Sequence, residues 1–129
     1  MVLFYIALGG ALGALARYGL AGWVQDRLGL AFPWGTLAVN VLGCLLMGLA
    51  LRYFEALRPT PELRALVGVG LLGAFTTFST FSFEAVALLE NGAWGRAAAY
   101  VLASVVVGIA AVYGGMAISG ILLVRGQVS

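Results

Sequence analysis

The feature that most constrains this chain is a series of four long apolar segments separated by short polar connections. The segments cover residues 2–24, 34–54, 63–89 and 97–124. A membrane-spanning helix needs roughly 20 apolar residues at a rise of ~1.5 Å per residue, and every segment reaches that length. Because the connections are short, neighbouring spans must run antiparallel. The sequence therefore predicts an all-α integral membrane protein with a single four-helix transmembrane domain over residues 1–129.

Composition supports a membrane protein over other classes. The 129 residues are 63% apolar and 9% charged, and a soluble domain of this size cannot cover so much apolar surface. Residues 1–10 have no positive charge before their apolar run, which predicts a first membrane helix and not a cleaved signal. No nucleophile–base pair or metal-ligand cluster is visible, so we expect no enzyme. We expect a multi-pass protein of the cell (inner) membrane that contacts lipid and no nucleic acid.

The arginines are divided almost evenly between the two sides of the membrane. One side carries four and the other three, namely Arg52, Arg58, Arg64 and Arg125 against Arg17, Arg27 and Arg96. A clear excess of positive charge normally fixes the orientation of a membrane protein. The near-equal count predicts that the chain inserts in both orientations. Two opposite copies then pair about a two-fold axis in the membrane plane, as an antiparallel dual-topology homodimer.

The third span has a polar centre, residues 73–82, and is longer than a membrane requires. Its 27 residues correspond to roughly 40 Å of helix, against a hydrocarbon core of ~30 Å. The excess length and the polar centre predict a helix break near the midplane. A break frees backbone carbonyls, and two antiparallel copies could each offer two of them to one small hard cation. The alternative is an unbroken helix whose hydroxyls bond to their own turn.

Aromatic and hydroxyl side chains alternate just after this point. Phe78 and Phe81 are three residues apart on one helical face, and Ser79 and Thr80 lie between them. A phenyl ring has a positive edge, so ring edges directed into a narrow path favour an anion over a cation. The alternative is that both rings face lipid or the protein core.

Polar groups on the second and fourth spans lie at a similar depth. Thr36 and Asn40 are one turn apart on one helix, and Tyr100 and Ser104 are one turn apart on another. An interhelical hydrogen bond is the structural alternative for Asn40. Hydrogen-bond donors on three spans, with no Lys or Arg at their depth, indicate a path for a small, strongly hydrated anion. Such an ion needs hydrogen bonds to replace its water, whereas a fixed full charge would hold it too tightly.

Two charged residues and one cysteine need separate accounts. Arg17 lies some 15 residues into the first span, where it either snorkels to the headgroups or attracts anions at the mouth of an aqueous vestibule. Glu84 follows Phe81 by one turn. Its carboxylate is either solvated near the interface, paired with an arginine, or a proton carrier. Cys44 is the single cysteine and is expected to serve packing.

Three motifs of the chain resemble the Fluc (CrcB) family of fluoride channels. They are Gly9-Gly10-x-x-Gly13-Ala14-x-x-Arg17-Tyr18, Gly35-Thr36-Leu37-x-Val39-Asn40-x-x-Gly43 and Gly73-Ala74-Phe75-Thr76-Thr77-Phe78-Ser79-Thr80-Phe81. Tyr100 and Ser104 match in the fourth span. The resemblance implies passive export of cytoplasmic fluoride, which reduces its toxicity, through two separate pores in an antiparallel homodimer.

The resemblance also implies roles for individual residues. Gly73 and Thr76 would hold a structural sodium ion through their backbone carbonyls, at the two-fold axis of the dimer. The implied pore residues are Asn40, Phe78, Phe81, Thr80, Tyr100 and Ser104. Gly108 falls where some members of the family carry a further hydroxyl, so this chain lacks one donor there.

Two other functions are compatible with a small four-helix membrane protein. A proton-coupled small multidrug exporter of dual topology needs an essential carboxylate facing its substrate cavity, and Glu84 is the one candidate within a span. A structural membrane subunit needs no transport path at all. Efflux of fluoride against chloride from liposomes discriminates among the three.

Overall fold

The computed structural model describes residues 1–128, and all regular structure in that range is helical. Helix α1 is Val2–Leu28 and helix α2 is Trp34–Leu57. The third span is divided into α3, residues 61–75, and α4, Phe78–Glu90. Helix α5 is Trp94–Val128. Four helical spans are long and apolar enough to cross a membrane.

Each span extends a few residues beyond the boundary that hydropathy predicted. The first ends at Leu28 and not at residue 24, because polar side chains at a membrane surface do not stop a helix. Backbone conformation stops it instead. Gly29 has a φ of 90°, Arg58 a φ of 46° and Gly92 a φ of 71°, and this left-handed region cannot continue a right-handed helix. The helix ends therefore lie at these turn residues.

Helix α3 is built from three helical stretches in succession. Pro61–Arg64 is α-helical, Ala65–Leu72 is a π-helix and Gly73–Phe75 is again α-helical. Thr60 caps the start, where its side chain accepts a hydrogen bond from the backbone N–H of Leu63 at 3.4 Å. The π-helix was not predicted, because its apolar sequence has no signal that distinguishes it from an α-helix.

The backbone between α3 and α4 is extended at two threonines. Thr76 has φ −83° and ψ 155°, and Thr77 has φ −146° and ψ 112°. The sequence predicted a break near the midplane, in the polar centre 73–82; Gly73 at the start of that centre is helical, with φ −63° and ψ −38°. Thr76 and Thr77 thus follow the glycine by three and four positions, and Thr77 caps the next helix.

The four spans pack as two close pairs, α1 against α3 and α2 against α5. Glycines permit this approach in both pairs. A Cβ atom at Gly9 would collide with the carbonyl oxygen of Leu66, and one at Gly48 would collide with that of Val112. Small residues allow helix backbones to meet in lipid, where no hydrophobic drive holds them together.

Most large apolar side chains face outward, and the buried core is small. Leu3, Leu15 and Val106 are among many exposed apolar residues, as expected for a surface in contact with lipid. The fully buried large side chains are Val39 and Tyr100. Tyr100 packs against Phe81 of the third span, with ring centroids 5.2 Å apart, so part of this core lies beside the polar centre.

Candidate functional site

Asn40 holds the break in the third span through two hydrogen bonds. Its Nδ2 donates to the carbonyl of Thr77 at 3.0 Å, and its Oδ1 accepts from the backbone N–H of Thr77 at 2.7 Å. Backbone polar groups inside a membrane must find partners within the protein. The amide of Asn40 supplies both partners that an unbroken helix would have supplied. Asn40 therefore forms interhelical hydrogen bonds, which was the structural alternative to a role in the pore.

The same contact releases a carbonyl of the preceding helix. In a continuous α-helix the N–H of Thr77 would donate to the carbonyl of Gly73. Here that N–H donates to Asn40, so the Gly73 carbonyl loses this partner. Gly73 is exposed on the surface of the chain, and the carbonyl of Thr76 belongs to extended backbone. The carbonyls of Gly73 and Thr76, at an exposed and a half-buried residue, thus lie three positions apart in the chain at the break.

Hydroxyl groups at the break bond chiefly to one another and to the backbone. Thr77 Oγ1 donates to Thr80 Oγ1 at 2.9 Å and accepts from the N–H of Thr80 at 3.3 Å. The Ser79 hydroxyl lies 3.5 Å from that of Thr77, and Ser79 is exposed. Thr76 Oγ1 donates to the carbonyl of Leu72 at 3.2 Å. Thr77 was not predicted as a site residue, although a threonine directly before a helical run is a capping signal.

Four of the predicted pore residues line one cavity of about 250 Å³. They are Asn40, Phe78, Phe81 and Ser104, and the remaining wall is formed by Cys44, Thr76, Thr77 and Val105. The rings of Phe78 and Phe81 are 5.6 Å apart between centroids. The Ser104 hydroxyl oxygen is buried and has no hydrogen-bond partner in the part of the chain that is described. A buried polar atom of this kind is uncommon and needs a ligand or water to satisfy it.

Thr36 and Tyr100 are in a different place, on either side of Glu84. Thr36 Oγ1 donates to Glu84 Oε1 at 2.8 Å, and the Tyr100 hydroxyl donates to Glu84 Oε2 at 2.6 Å. Of the three accounts of Glu84 from the sequence, pairing with an arginine does not occur: within residues 1–128 the carboxylate–arginine contact is Arg52–Glu55. Two hydroxyls take its place. The ring of Tyr100 also packs 5.2 Å from that of Phe81, which links the two groups of residues.

A larger cavity of about 830 Å³ reaches from α1 to the break. Its wall includes Arg17 of α1 together with Thr36, Thr77, Thr80 and Glu84. Arg17 is half-buried and lies in the cavity wall. Arg17, Asp26 and Glu84 are the charged groups in this wall. The cavity therefore joins the predicted vestibule residue to the hydroxyls at the break.

Gly108 lies beside the cysteine of the neighbouring helix. A Cβ atom built on Gly108 would be 3.6 Å from Cys44 Sγ, an ordinary van der Waals separation. Cys44 is half-buried and its thiol is free. Next to the small cavity, the side chain that faces Gly108 is thus a thiol, which is a weak hydrogen-bond donor.

No group of three or more His, Cys, Asp or Glu side chains that could hold a metal occurs in residues 1–128. The oxygen atoms at the break belong to backbone carbonyls and to the side chains of Asn40, Thr76 and Thr77. The carbonyls of Gly73 and Thr76 are oxygen ligands of the type that hard cations prefer. The donor set fits a small alkali or alkaline-earth ion and does not fit a transition metal.

Comparison with known proteins places the chain among fluoride channels and their relatives. The model of the family described as "CrcB-like protein, Camphor Resistance (CrcB)" matches residues 4–116. A protein of Hahella chejuensis is 51% identical over 122 residues, covering 94% of this chain and 96% of its own length. Proteins of Acidobacterium capsulatum and Thermus thermophilus are 46% and 48% identical, each covering 92% of this chain and 95% and 93% of their own lengths. All three carry the name fluoride-specific ion channel FluC.

Proposed function

This chain belongs to the CrcB family, and we propose that it forms a fluoride-selective channel through which fluoride leaves the cytoplasm passively. The observation that carries this conclusion is similarity of about half of all residues to fluoride-specific channels over nearly the whole chain. The chain is a multi-pass protein of the membrane, the inner membrane in bacteria. Export lowers the concentration of a toxic ion in the cell. The relatives are channels, and we assign no catalytic activity to this chain.

The path that we propose begins at the large cavity and ends at the small one. Arg17 raises the local anion concentration at the vestibule, and its charge lies in the wall of that cavity. Thr80 and Thr77 lie where the vestibule meets the break. Phe78, Phe81, Asn40 and Ser104 then line the narrower cavity. Thr77 lines both cavities, so both lie beside the start of α4.

Fluoride loses its water along this path to hydrogen bonds and ring edges. The buried Ser104 hydroxyl has a proton to donate, and Asn40 keeps one of its two Nδ2 protons after bonding to Thr77. The edges of Phe78 and Phe81 add a weak positive potential without a fixed charge. A small anion is thereby held strongly enough to enter and weakly enough to leave.

Glu84 competes with fluoride for two of the predicted donors. Each hydroxyl carries one proton, and those of Thr36 and Tyr100 both point at the carboxylate. Fluoride reaches these two hydroxyls when the carboxylate moves aside, so we propose that the Glu84 side chain regulates this part of the path. Thr36 and Tyr100 stay predicted pore residues, with their hydroxyls directed at Glu84 in this conformation.

We propose that the working unit is an antiparallel homodimer. Phe78 is 79% exposed in a single chain, although it lines the small cavity. A pore-lining ring on an open face needs a second surface to close the path around it. The nearly equal numbers of arginines on the two sides allow that second copy to insert in the opposite orientation. Lipid covers the remaining apolar surface.

A sodium ion at the two-fold axis fits the oxygen atoms at the break. The residues that would hold it are Gly73 and Thr76, through two carbonyls from each copy. Support comes from the released carbonyl of Gly73 and the exposed position of that residue. When bound, the ion offsets the negative ends of the carbonyl dipoles. Asn40 accepts the hydrogen bond from the N–H of Thr77, so this N–H does not donate to the Gly73 carbonyl.

The experiment that tests this function is efflux from liposomes that contain the purified protein. We expect fluoride to leave rapidly and chloride to be retained. Phe78→Ile and Phe81→Ile remove the ring edges but keep apolar bulk, so both variants should abolish fluoride efflux while the protein remains folded and dimeric. Normal efflux in both variants would remove these rings from the path. Equal passage of fluoride and chloride would reject selectivity, and no passage of either would favour a structural subunit.

The multidrug exporter is not favoured. That mechanism requires a carboxylate that exchanges protons with a cationic drug, whereas the relatives are named as ion channels. The same liposomes discriminate between the two functions, because an exporter needs a proton gradient and a passive channel does not.

A further inference from the structure

Gln25, near the end of α1, uses its whole amide to bind the connection to α2. Its Nε2 donates to the carbonyls of Gly29 at 2.5 Å and Phe32 at 2.9 Å. Its Oε1 accepts from the backbone N–H of Gly35 at 3.0 Å. Both amide protons are therefore engaged, and each partner belongs to the short segment 29–35. One side chain thus ties both ends and the middle of this connection together.

The bond to Gly35 also fixes where α2 begins. The first N–H groups of a helix have no partner within it, and Pro33, at the N-cap position, makes no side-chain cap. Gln25 satisfies the N–H of Gly35 from another helix. At the same point a Cβ atom on Gly35 would collide with the carbonyl of Ala21, so the two backbones are in contact. The start of α2 is therefore packed directly against α1.

The segment held by Gln25 supports both hydroxyls that bind Glu84. Thr36 directly follows Gly35 and donates to the carboxylate at 2.8 Å. The ring of Phe32 meets the ring of Tyr100 edge-on, with centroids 5.5 Å apart and an interplanar angle of 85°. Tyr100 is the other donor to Glu84. A shift of the segment would therefore displace both donors together.

Gln25 and Glu84 also stand between two cavities. Both residues line the vestibule of about 830 Å³, and both line a second cavity of about 320 Å³ beneath the connection. The rest of this second cavity comprises Leu30, Ala31, Phe32, Pro33, Ala87, Leu88 and Asn91. Loss of the Gln25 side-chain bonds would loosen the wall that separates the two spaces beside Glu84.

We infer that Gln25 is a positioning residue of the anion path: it holds segment 29–35 so that Thr36 and Tyr100 keep their hydroxyls directed at Glu84. This inference rests on the proposed fluoride channel. Gln25 itself has no amide proton left for an anion, so it acts through Thr36 and Tyr100. The Gln25 contacts fix the positions of the Thr36 and Tyr100 hydroxyls, and hence their geometry toward an anion when Glu84 moves aside.

The test replaces Gln25 by Met, which has a similar length, no charge and no strong hydrogen-bonding atoms. Asn91→Ala is the matched control, because the Asn91 amide also donates to a backbone carbonyl, that of Ala87 at 2.9 Å, at the edge of the same second cavity. Full-length dimers in liposomes are compared for the fluoride concentration that gives half-maximal efflux and for the maximal rate. Hydrogen exchange of residues 29–36 is measured on the same preparations.

We expect Gln25→Met to raise the half-maximal fluoride concentration by about tenfold, the effect of one misplaced hydrogen bond to an ion, with a maximal rate within about twofold. Exchange in residues 29–36 should increase, and Asn91→Ala should change none of these values. Where Gln25→Met does not fold, Gln25→Asn keeps the amide but is one methylene shorter, and should shift both readouts in the same direction by less.

Two results would overturn the inference. One is unchanged exchange in residues 29–36. The other is faster exchange with an unchanged half-maximal concentration, since a purely structural role reduces the number of working channels and not their affinity. Failure of the proposed function is separate and is recognised first, because the wild-type protein itself would then pass no fluoride in preference to chloride.

Discussion

At the scale of the residue, the number of hydroxyl protons governs what this site can do. A serine, threonine or tyrosine has one proton to donate. Thr36 and Tyr100 donate theirs to Glu84, and Thr77 donates to Thr80. Ser104 differs, because its buried oxygen has no partner in the described chain and lines the small cavity. Its proton therefore has no competing acceptor within the described chain.

Replacing Ser104 by Ala should reduce fluoride efflux by about tenfold, the cost of one hydrogen bond to a charged partner, and should leave stability nearly unchanged. Ser119→Ala is the matched control. Ser119 lies on the same helix and is fully buried, and its hydroxyl also has no partner in the range described. Efflux rates from liposomes and melting temperatures in detergent provide the measurements. Equal losses of efflux in the two variants would contradict a specific role for Ser104.

At the scale of the element, a contact from another helix stabilises the extended backbone in the third span. Gly73 is helical, and the backbone leaves the helix at Thr76 and Thr77, where Asn40 of α2 provides the partners. Asn40 can reach the break because α2 and α1 lie close to the third span. Glycines at the helix crossings are thus a condition for the site as well as for the fold.

Two adjacent glycines of α5 provide a direct test of this packing. A Cβ atom on Gly115 would collide with the carbonyl oxygen of Leu45, whereas one on Gly114 would be 3.9 Å from the nearest atom, Leu45 Cδ1. Gly115→Ala should lower the free energy of unfolding by about 1–3 kcal/mol through overpacking. Gly114→Ala should be neutral or slightly stabilising, because Ala favours helix by up to about 1 kcal/mol.

Unfolding of both variants in detergent, followed by circular dichroism, gives the comparison. A loss of stability in Gly114→Ala as large as that in Gly115→Ala would show that the α2–α5 distance is not the constraint.

At the scale of the whole molecule, a single chain leaves its site open. Phe78 and Gly73 both lie on an exposed face beside the break. A path for an ion through a membrane must be closed against lipid along its length. A second copy in the opposite orientation would bring a second break against the first. The dimer is thus part of the proposed function and not only a means of covering apolar surface.

Changing the charge balance should test this arrangement. Glu55→Lys with Glu62→Lys adds positive charge to the connection between the second and third spans, which should fix that connection in the cytoplasm. We expect most fluoride efflux from cells to be lost, because copies of one orientation cannot form the antiparallel pair. Co-expression with a second variant, Asp26→Lys with Glu90→Lys, which is biased the opposite way, should restore efflux. Full activity of either biased variant alone would contradict an antiparallel dimer.

Several properties follow from the amino-acid sequence without the structure. Four helical spans were predictable, because insertion into lipid depends on length and apolar character, both of which are local. The family was recognisable because its motifs are short runs, such as residues 73–81. Eight pore residues were predicted, and four of them, Asn40, Phe78, Phe81 and Ser104, line one cavity. Their roles in conduction stay predictions until efflux is measured.

The hydrogen-bond partners of these residues were decided by the tertiary structure alone. Asn40 binds Thr77 across 37 positions, and Thr36 binds Glu84 across 48. No periodicity relates positions so far apart, since each pair depends on how α2 is placed against α4. The positioning role proposed for Gln25 was not predictable for the same reason. Its hydrogen-bond partners lie in segment 29–35, and the sequence does not specify the path of that segment. Hydropathy thus determined which segments enter the membrane, whereas close backbone packing determined which polar groups meet there, because hydrogen bonds need atoms within about 3 Å.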